Sequence, residues 1–378
     1  MRWIQELLDT TADTYSEHYE PQRDVVGLDI GVGASCIYPL LACSTRPRWR
    51  MAGTDIDPHS LDYARRNVER NALQPRIRLS AVSVDEDGPL MPLDTLKLVR
   101  LDFVMTNPPF YSSREEMQRG YAGKLAAPSA VCTGAQHEMI CPGGEVGFVT
   151  RLMEESLRLR NRVQWYTAML GKLPSLHRVV ALLKERGIRN FAVASLQAGR
   201  RTNRWAVGWS LGDLRPRNDV ARHGQLPGGV VPLPATQTIV APLSGVGQAR
   251  EKVDAVLKGL EVKWRWKEGI AIGVMEAREN VWSRAARRRK KRGAEAPGHG
   301  ACELESARDE TAVDDDDVDN DDDGEEEEEE EEKGENVALA VMISNGIEEV
   351  NVRWLRGNDY VLFESFCGML KRELRNRG

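Results

Sequence analysis

From Val25 onward, short apolar runs alternate with stretches of helical period, and this alternation leaves the chain few architectures. The run Val25-Val26-Gly27-Leu28-Asp29-Ile30 passes through Gly31-Val32-Gly33 into a helical stretch at 34–42. A short strand ends at Gly53-Thr54-Asp55, and residues 58–71 read as a helix with Pro58 in its first turn. Residues 77–82 and 103–106 repeat the strand pattern, and 147–149 read as a strand running into a helix over 151–160. A helix over 3–19 precedes the series, and 206–210 read as the strand that completes it. Such alternation predicts an α/β fold with a parallel, doubly wound sheet. Residues 111–142 show weak periodicity, and loops that long are functional or disordered.

A second unit follows. Residues 213–235 are rich in Pro and Gly, so 1–215 read as the first domain and 216–235 as a linker. A helix is expected over 251–260. Val262-Lys263-Trp264-Arg265-Trp266-Lys267 alternates apolar and basic residues, the pattern of a half-buried strand with a cationic outer face. Strands at 269–275, 338–343 and 350–354 and a helix over 280–292 come next. Gly357-Asn358 makes a turn, and 359–375 is an amphipathic helix with Leu362, Phe363, Phe366 and Leu370 on one face. Neither 236–292 nor 336–378 has enough elements to close a core, so together they read as one smaller α+β domain. A disordered acidic insertion, 293–335, splits it. Residues 309–335 hold nineteen acidic residues and one lysine, a charge of −18. The net charge is −6, so the remainder (−6 less −18) carries +12. A basic body tied to an acidic tract suggests a polyanionic partner with an internal competitor, or else a solubilising spacer.

Cysteines 36, 43, 132, 141, 302 and 367 are scattered, without metal-ligand spacing, so no metal is expected and a reducing compartment fits. With no signal peptide and no apolar run near the ~20 residues of a membrane span, a soluble intracellular protein is expected. The sequence does not fix an oligomeric state.

Three motifs end successive strands. In Asp29-Ile30-Gly31-Val32-Gly33, two glycines let backbone approach a nucleotide-like ligand, unless the turn is a tight strand-to-helix connection and no more. Asp29, Gly31 and Gly33 are the candidate cofactor residues here. Asp55 stands where an acid accepts both ribose hydroxyls of an adenosine; its rival Asp57, before Pro58, reads as a helix N-cap. Asn107-Pro108-Pro109-Phe110 is stiff backbone at a strand end, since proline gives no N–H to a ladder. The order of these motifs describes an S-adenosylmethionine-dependent methyltransferase acting on a planar nitrogen. The lone pair of adenine's exocyclic amine is delocalised into the ring. If the Asn107 side-chain oxygen and the Pro108 carbonyl each accept one amine hydrogen, that lone pair is aimed at the methyl group, and alignment matters more than a strong base. Phe110 would stack on the base for ~1–3 kcal/mol. Tyr111 is a second wall or core, and the bland alternative is a proline-terminated strand with buried aromatics.

The strings DIGVGASCIYPLL (29–41), NPPFY (107–111), CPGGEVGFV (141–149), WYTAMLGK (165–172) and RTNRWAVGW (201–209) resemble the methyltransferase-like protein 16 family. Its members methylate adenosine in U6 small nuclear RNA and in certain messenger RNA hairpins, and they share a domain with bacterial enzymes modifying 23S ribosomal RNA. The resemblance covers 3–215 closely and implies a Rossmann-like class I methyltransferase sheet. It also implies S-adenosyl-L-methionine held through Gly31, Asp55 and Asn107, with Asn107, Pro108, Pro109 and Phe110 catalytic. The second unit resembles the family's vertebrate-conserved-region domain, an RNA-binding module likewise split by an insertion. Arg200, Arg201 and Arg204 fall in the family's basic segment near the RNA path, or are plain surface charge. Lys263, Arg265, Lys267 and the cluster Arg287, Arg288, Arg289, Lys290, Lys291 and Arg292 would contact phosphates, and the cluster also reads as a nuclear import signal. A nuclear protein is expected, with the cytoplasm as a second site.

The family has a segment before the tryptophan found here as Trp3, including an arginine that touches the cofactor, whereas here only Met1 and Arg2 precede Trp3 in the given sequence. Its regulatory loop has lysine and threonine where this chain aligns Asp85 and Glu86. A truncated product and a chain with reduced activity are both consistent with this. The alternative functions are a non-catalytic RNA-binding protein on the same fold, a ribosomal RNA adenine N6-methyltransferase, and a release-factor-type glutamine methyltransferase.

Overall fold

The computed structural model describes residues 1–378 except 84–87, 123–138, 198–202, 241–244, 268–271, 287, 289–336, 347 and 377–378. The first sheet contains β1 (Val25–Ile30), β2 (Trp49–Asp55), β3 (Ile77–Ala81), β4 (Leu101–Thr106), β5 (Val163–Leu170), β6 (Phe191–Gln197), β7 (Asn203–Trp209) and β8 (Arg222–His223). Their order is β3-β2-β1-β4-β5-β7-β6-β8. The first five run parallel, as the alternation predicts. The expectation of a wholly parallel sheet is corrected at β7, which is antiparallel to both neighbours. The physical reason is the short link from Gln197 to Asn203, since parallel neighbours need a crossover of about a dozen residues or more.

Helices α1 (Arg2–Thr10), α2 (Ile37–Thr45) and α3 (Pro58–Arg70) pack into one core, while α5 (Gly144–Leu159) and α6 (Leu173–Glu185) pack into the other; α4 (Arg114–Ala122) follows the NPPFY stretch. Two apolar clusters result. Trp3, Leu7, Cys43, Leu61, Phe103 and Trp165 build one, and Leu28, Val104, Leu152, Tyr166, Leu176 and Val179 the other.

Several expectations change. The helix read over 3–19 stops at Thr10, because the hydroxyls of Thr10 and Thr11 donate back to the carbonyls of Glu6 and Leu7, each at 2.7 Å, and end the run. Residues 147–149 are helical rather than strand: Val149, Leu152, Met153 and Ser156 are buried at i, i+3, i+4 and i+7, so the helical period wins over a short apolar run. The weakly periodic loop contains α4, and Tyr111 bridges to Ile140.

The second sheet consists of β9 (Thr236–Val240), β10 (Lys263–Lys267), β11 (Ile272–Ala277), β12 (Leu339–Asn345) and β13 (Glu349–Arg356). All pairings are antiparallel, in the order β10-β11-β12-β13-β9. Stretches on both sides of the acidic segment thus share one sheet and one core, which includes Val253, Trp282, Val341, Trp354, Phe363, Phe366 and Leu370. Helices α8 (Val246–Leu257) and α9 (Tyr360–Asn376) contribute to that core, Leu362 only partly. Of the helix read over 280–292, residues 284–286 and 288 are helical, and the acidic tract lies outside the described residues.

The stretch expected as a linker is built into the body. It carries α7 (Asn218–Ala221) and β8, and Val220, Ala221 and Val230 are buried. The Trp3 indole donates to the Val220 carbonyl at 2.9 Å, and the Asn218 side chain accepts from Ala235 N at 2.7 Å. Next to it the two sheets meet through buried arginines. Arg353 of β13 donates to the carbonyls of Thr10 at 3.0 Å and Arg215 at 3.2 Å, and pairs with Glu17 at 2.8 Å. Arg215 donates to the Gly357 carbonyl at 2.8 Å and lies over the Trp354 ring at 4.2 Å. No described helix is long and apolar enough to cross a membrane.

Candidate active site

The strand ends that carry the three motifs are neighbours, because β2, β1 and β4 are adjacent in the sheet. The carbonyl of Thr54 accepts from both Gly31 N and Val32 N at 2.9 Å, which pins the turn after β1 to the end of β2. The left-handed backbone of Gly31 (φ +74°) and Gly33 (φ +58°) is unstrained only without a side chain, and the space over Gly31 is open. Asp55 is buried, and its carboxylate accepts from Gly33 N at 2.8 Å and from Asp57 N at 3.0 Å. It therefore braces the glycine turn from below. Asp57 accepts from His59 N and Ser60 N and is the N-cap of α3, as its place before Pro58 suggests.

Asp29 is fully enclosed, and among the described residues neither of its carboxylate oxygens has a hydrogen-bond partner. Burial first, and the nearby Asp55 second, push its carboxyl well above the usual range. A buried acid with a raised folded value adds stability that is whole below its unfolded value, about pH 4, and lost as pH rises through the folded value. Asp29→Asn is therefore expected to melt higher than the parent at neutral pH without cofactor, the gap closing toward about pH 4. Scanning fluorimetry across pH checks this, and a lower neutral melting temperature refutes it.

On β4, the Thr106 hydroxyl donates to the Ile30 carbonyl at 3.0 Å, holding the start of the Asn107-Pro108-Pro109-Phe110 segment to β1. Asn107 is exposed, Pro108 is buried, and Pro109 and Phe110 are half-buried. A cavity of about 300 Å³ opens beside Asn107, lined by Trp3, Tyr38, Met105, Thr167 and Ala206 among others. An orphaned acid, an open glycine turn, a buried acid at the next strand and an exposed carboxamide at the third fit a nucleoside-type cofactor carrying a cationic end. Among the described residues no group of three or more His, Cys, Asp and Glu side chains is placed to hold a metal ion.

Arg204 in β7 lies with its guanidinium 5.8 Å from the centroid of the Phe110 ring, so this arginine reaches the aromatic segment. Arg200 and Arg201 lie outside the described residues. Lys263, Arg265 and Lys267 are exposed on β10, the outer strand of the second sheet, with Trp264 and Trp266 half-buried between them. Lys263 is also 3.8 Å from Glu276. Arg288 is exposed, and Arg287, Arg289, Lys290, Lys291 and Arg292 lie outside the described residues, as do Asp85 and Glu86.

Reading by motif misses Glu116, Glu145, Gly171 and Lys172, which surround Phe110. The Glu145 carboxylate accepts from Gly171 N at 2.5 Å, and a side chain at Gly171 would meet two Phe110 ring carbons at 3.0 and 3.1 Å. The available signal is Lys172 at the N-cap of α6, where a cation opposes the helix dipole and so needs another reason to be there.

Residues 1–213 match a family described as RNA methyltransferase. The chain is 31% identical over 377 residues to the U6 small nuclear RNA (adenine-(43)-N(6))-methyltransferase of Schizosaccharomyces pombe, covering 100% of this chain and 84% of that protein. It is 36% identical over 220 residues to the RNA N(6)-adenosine-methyltransferase METTL16 of Homo sapiens, covering 56% of this chain and 37% of the relative. A solved structure of the hMettl16 catalytic domain in complex with MAT2A 3'UTR hairpin 1 is 32% identical, with a TM-score of 0.47, over 56% of this chain and 67% of that one.

Proposed function

Because the chain belongs to this RNA methyltransferase family, we propose that it transfers a methyl group from S-adenosyl-L-methionine to the N6 amine of adenosine in structured RNA, with U6 small nuclear RNA or a messenger RNA hairpin as substrate. The observation that carries the reading is the convergence of Gly31, Asp55 and Asn107 on adjacent strand ends. Asp29, Gly31, Gly33, Asp55 and Asn107 hold the cofactor: Asp29 offers a carboxylate to a cationic group, Asp55 offers acceptors to ribose hydroxyls, and the glycines let the backbone close in. Bound there, the cofactor supplies an electrophilic methyl on a good leaving group. The Asn107 carboxamide oxygen and the Pro108 carbonyl hold the two amine hydrogens and turn the nitrogen lone pair out of the ring. Pro109 keeps this backbone stiff, and Phe110 stacks on the base.

The test is transfer of labelled methyl from S-adenosylmethionine to total RNA, followed by nuclease digestion. Label in N6-methyladenosine is expected. An RNA fraction that stays unlabelled while the protein binds RNA overturns the reading in favour of a non-catalytic binder.

Lys263, Arg265 and Lys267 of the second unit form a phosphate-contacting edge, and Arg204 of β7 stands beside the target base, with Arg200 and Arg201 a few positions before it in the chain. Specificity then comes from RNA shape and a flipped-out adenosine. Charge reversal of Lys263, Arg265 and Lys267 to glutamate should weaken hairpin binding and reduce the slope of log K against log salt by about 0.7–0.9 for each phosphate no longer neutralised. Anisotropy titrations over a salt series measure it, and an unchanged slope removes β10 from the RNA path. Arg287 to Arg292 is proposed as a further phosphate contact and as a nuclear import signal, with the nucleus as the protein's place of action.

A further inference from the structure

We infer that Lys172 and Glu116 are positioning residues that latch the aromatic pair Phe110 and Tyr111 in register with Asn107. The inference rests on the methyl-transfer reading and deepens it by naming what fixes the seat of the target base.

The Lys172 ammonium donates to the Phe110 carbonyl at 2.9 Å and to Glu116 Oε1 at 2.6 Å, and lies 5.2 Å from the centroid of the Tyr111 ring. The other oxygen of Glu116 accepts from the backbone N–H of Ser112 at 2.7 Å and from its hydroxyl at 2.6 Å. One ion pair therefore grips three consecutive residues after Pro109: the carbonyl of Phe110, the ring of Tyr111 and the amide of Ser112. Its two halves come from different places, Glu116 from the first turn of α4 and Lys172 from the connection between β5 and α6.

Behind the pair, the Phe110 ring rests against Gly171, whose amide is held by the buried Glu145 carboxylate. The ring thus has a fixed floor, while the latch sets its backbone. The Glu116 carboxyl is held down at about 2, first by Lys172 and then by Ser112, so the carboxylate side of the pair stays ionised at neutral pH. Its side chains are 35% and 41% exposed, so it adds little to the stability of the fold. Its consequence is geometric. Asn107 and Phe110 are joined by two stiff prolines, so a rotation of the Phe110 peptide moves the stacking surface relative to the acceptors of the amine.

The test uses the full chain and a hairpin RNA that the parent methylates, together with the same hairpin carrying 2-aminopurine at the target position. Lys172→Met should lower kcat by about tenfold or more, because small misplacements of a bound reactant are costly in rate. The KM for S-adenosylmethionine and the melting temperature should stay at parental values, and the 2-aminopurine fluorescence change on binding should shrink. Lys172→Arg should recover most of the rate, and Glu116→Gln combined with Lys172→Met should be no worse than Lys172→Met alone. A Lys172→Met protein with parental kcat and fluorescence overturns the inference alone. So does one that loses cofactor affinity and melting temperature in step with rate, since that marks a structural role. A parent chain that methylates no RNA overturns the functional reading, and the latch with it.

Discussion

Asn107→Ala is expected to lower methyl transfer by about 10²–10³-fold, the usual scale for one lost transition-state hydrogen bond, while RNA affinity stays parental. The argument comes from the division of labour at the end of β4. Thr106 secures the strand to β1 through the Ile30 carbonyl, and buried Pro108 secures the far side, so the exposed Asn107 side chain is spare for a ligand. On the proposed amine contact, removing it would leave the amine with the Pro108 carbonyl alone, and the nitrogen lone pair would stay conjugated with the ring. Stability should shift by no more than about 0.5 kcal/mol, because the side chain is exposed. Asn107→Asp keeps an acceptor oxygen and should lose less than Asn107→Ala. Single-turnover rates with saturating RNA and cofactor separate these outcomes, and an Asn107→Ala protein with the parental rate would sink the assignment of the amine contact.

Trp354→Ala should cost the second unit about 3–5 kcal/mol, the range for emptying a large aromatic from a core. The Trp354 ring is stacked on Phe363 at 5.3 Å with an interplanar angle of 8°, and its indole donates to the Arg356 carbonyl at 2.9 Å. On its other side lies the Arg215 guanidinium, which burial pulls down to about 10. The substitution therefore leaves a cavity and also removes the surface on which a buried cation rests. Since Arg353 donates to the Arg215 carbonyl, the loss reaches the joint between the sheets. Urea unfolding followed by far-ultraviolet dichroism should show an early transition for the second unit, followed by one at the parental midpoint. Cofactor affinity should persist and hairpin affinity should fall. A single transition at the parental midpoint would show that Trp354 does not carry this core.

The sequence discloses the turns around the candidate site better than it discloses the sheet that holds them. Glycine and proline mark the backbone locally, so the turn at Gly31, the N-cap at Asp57 before Pro58 and the strand end at Asn107 are legible from neighbours in the chain. β5, α6 and β6 escape, because a strand buried on both faces, such as Val163–Leu170 with Trp165 and Tyr166 on opposite sides, alternates in no visible way. Residues 216–235 mislead by composition: Pro and Gly there shape a fixed strap rather than a free tether. Glu116 and Lys172 are 56 positions apart, and the bond between them is a product of the fold, beyond the reach of any local pattern.

The strand order of the second sheet dictates when it can form during synthesis. β12 and β13 hold interior positions, between β11 and β9, although they are made after them. On the ribosome, β10 and β11 can pair with each other as they emerge, but β11 leaves its other edge open until β12 is made, and β9 pairs with nothing until Glu349–Arg356 arrives. The Arg353 contact to Thr10 spans 343 positions, so α1 also waits for β13 before its C-terminal end is covered. The first sheet can complete itself while translation continues, and the nascent second unit spends that interval with open strand edges, the exposure that chaperones recognise.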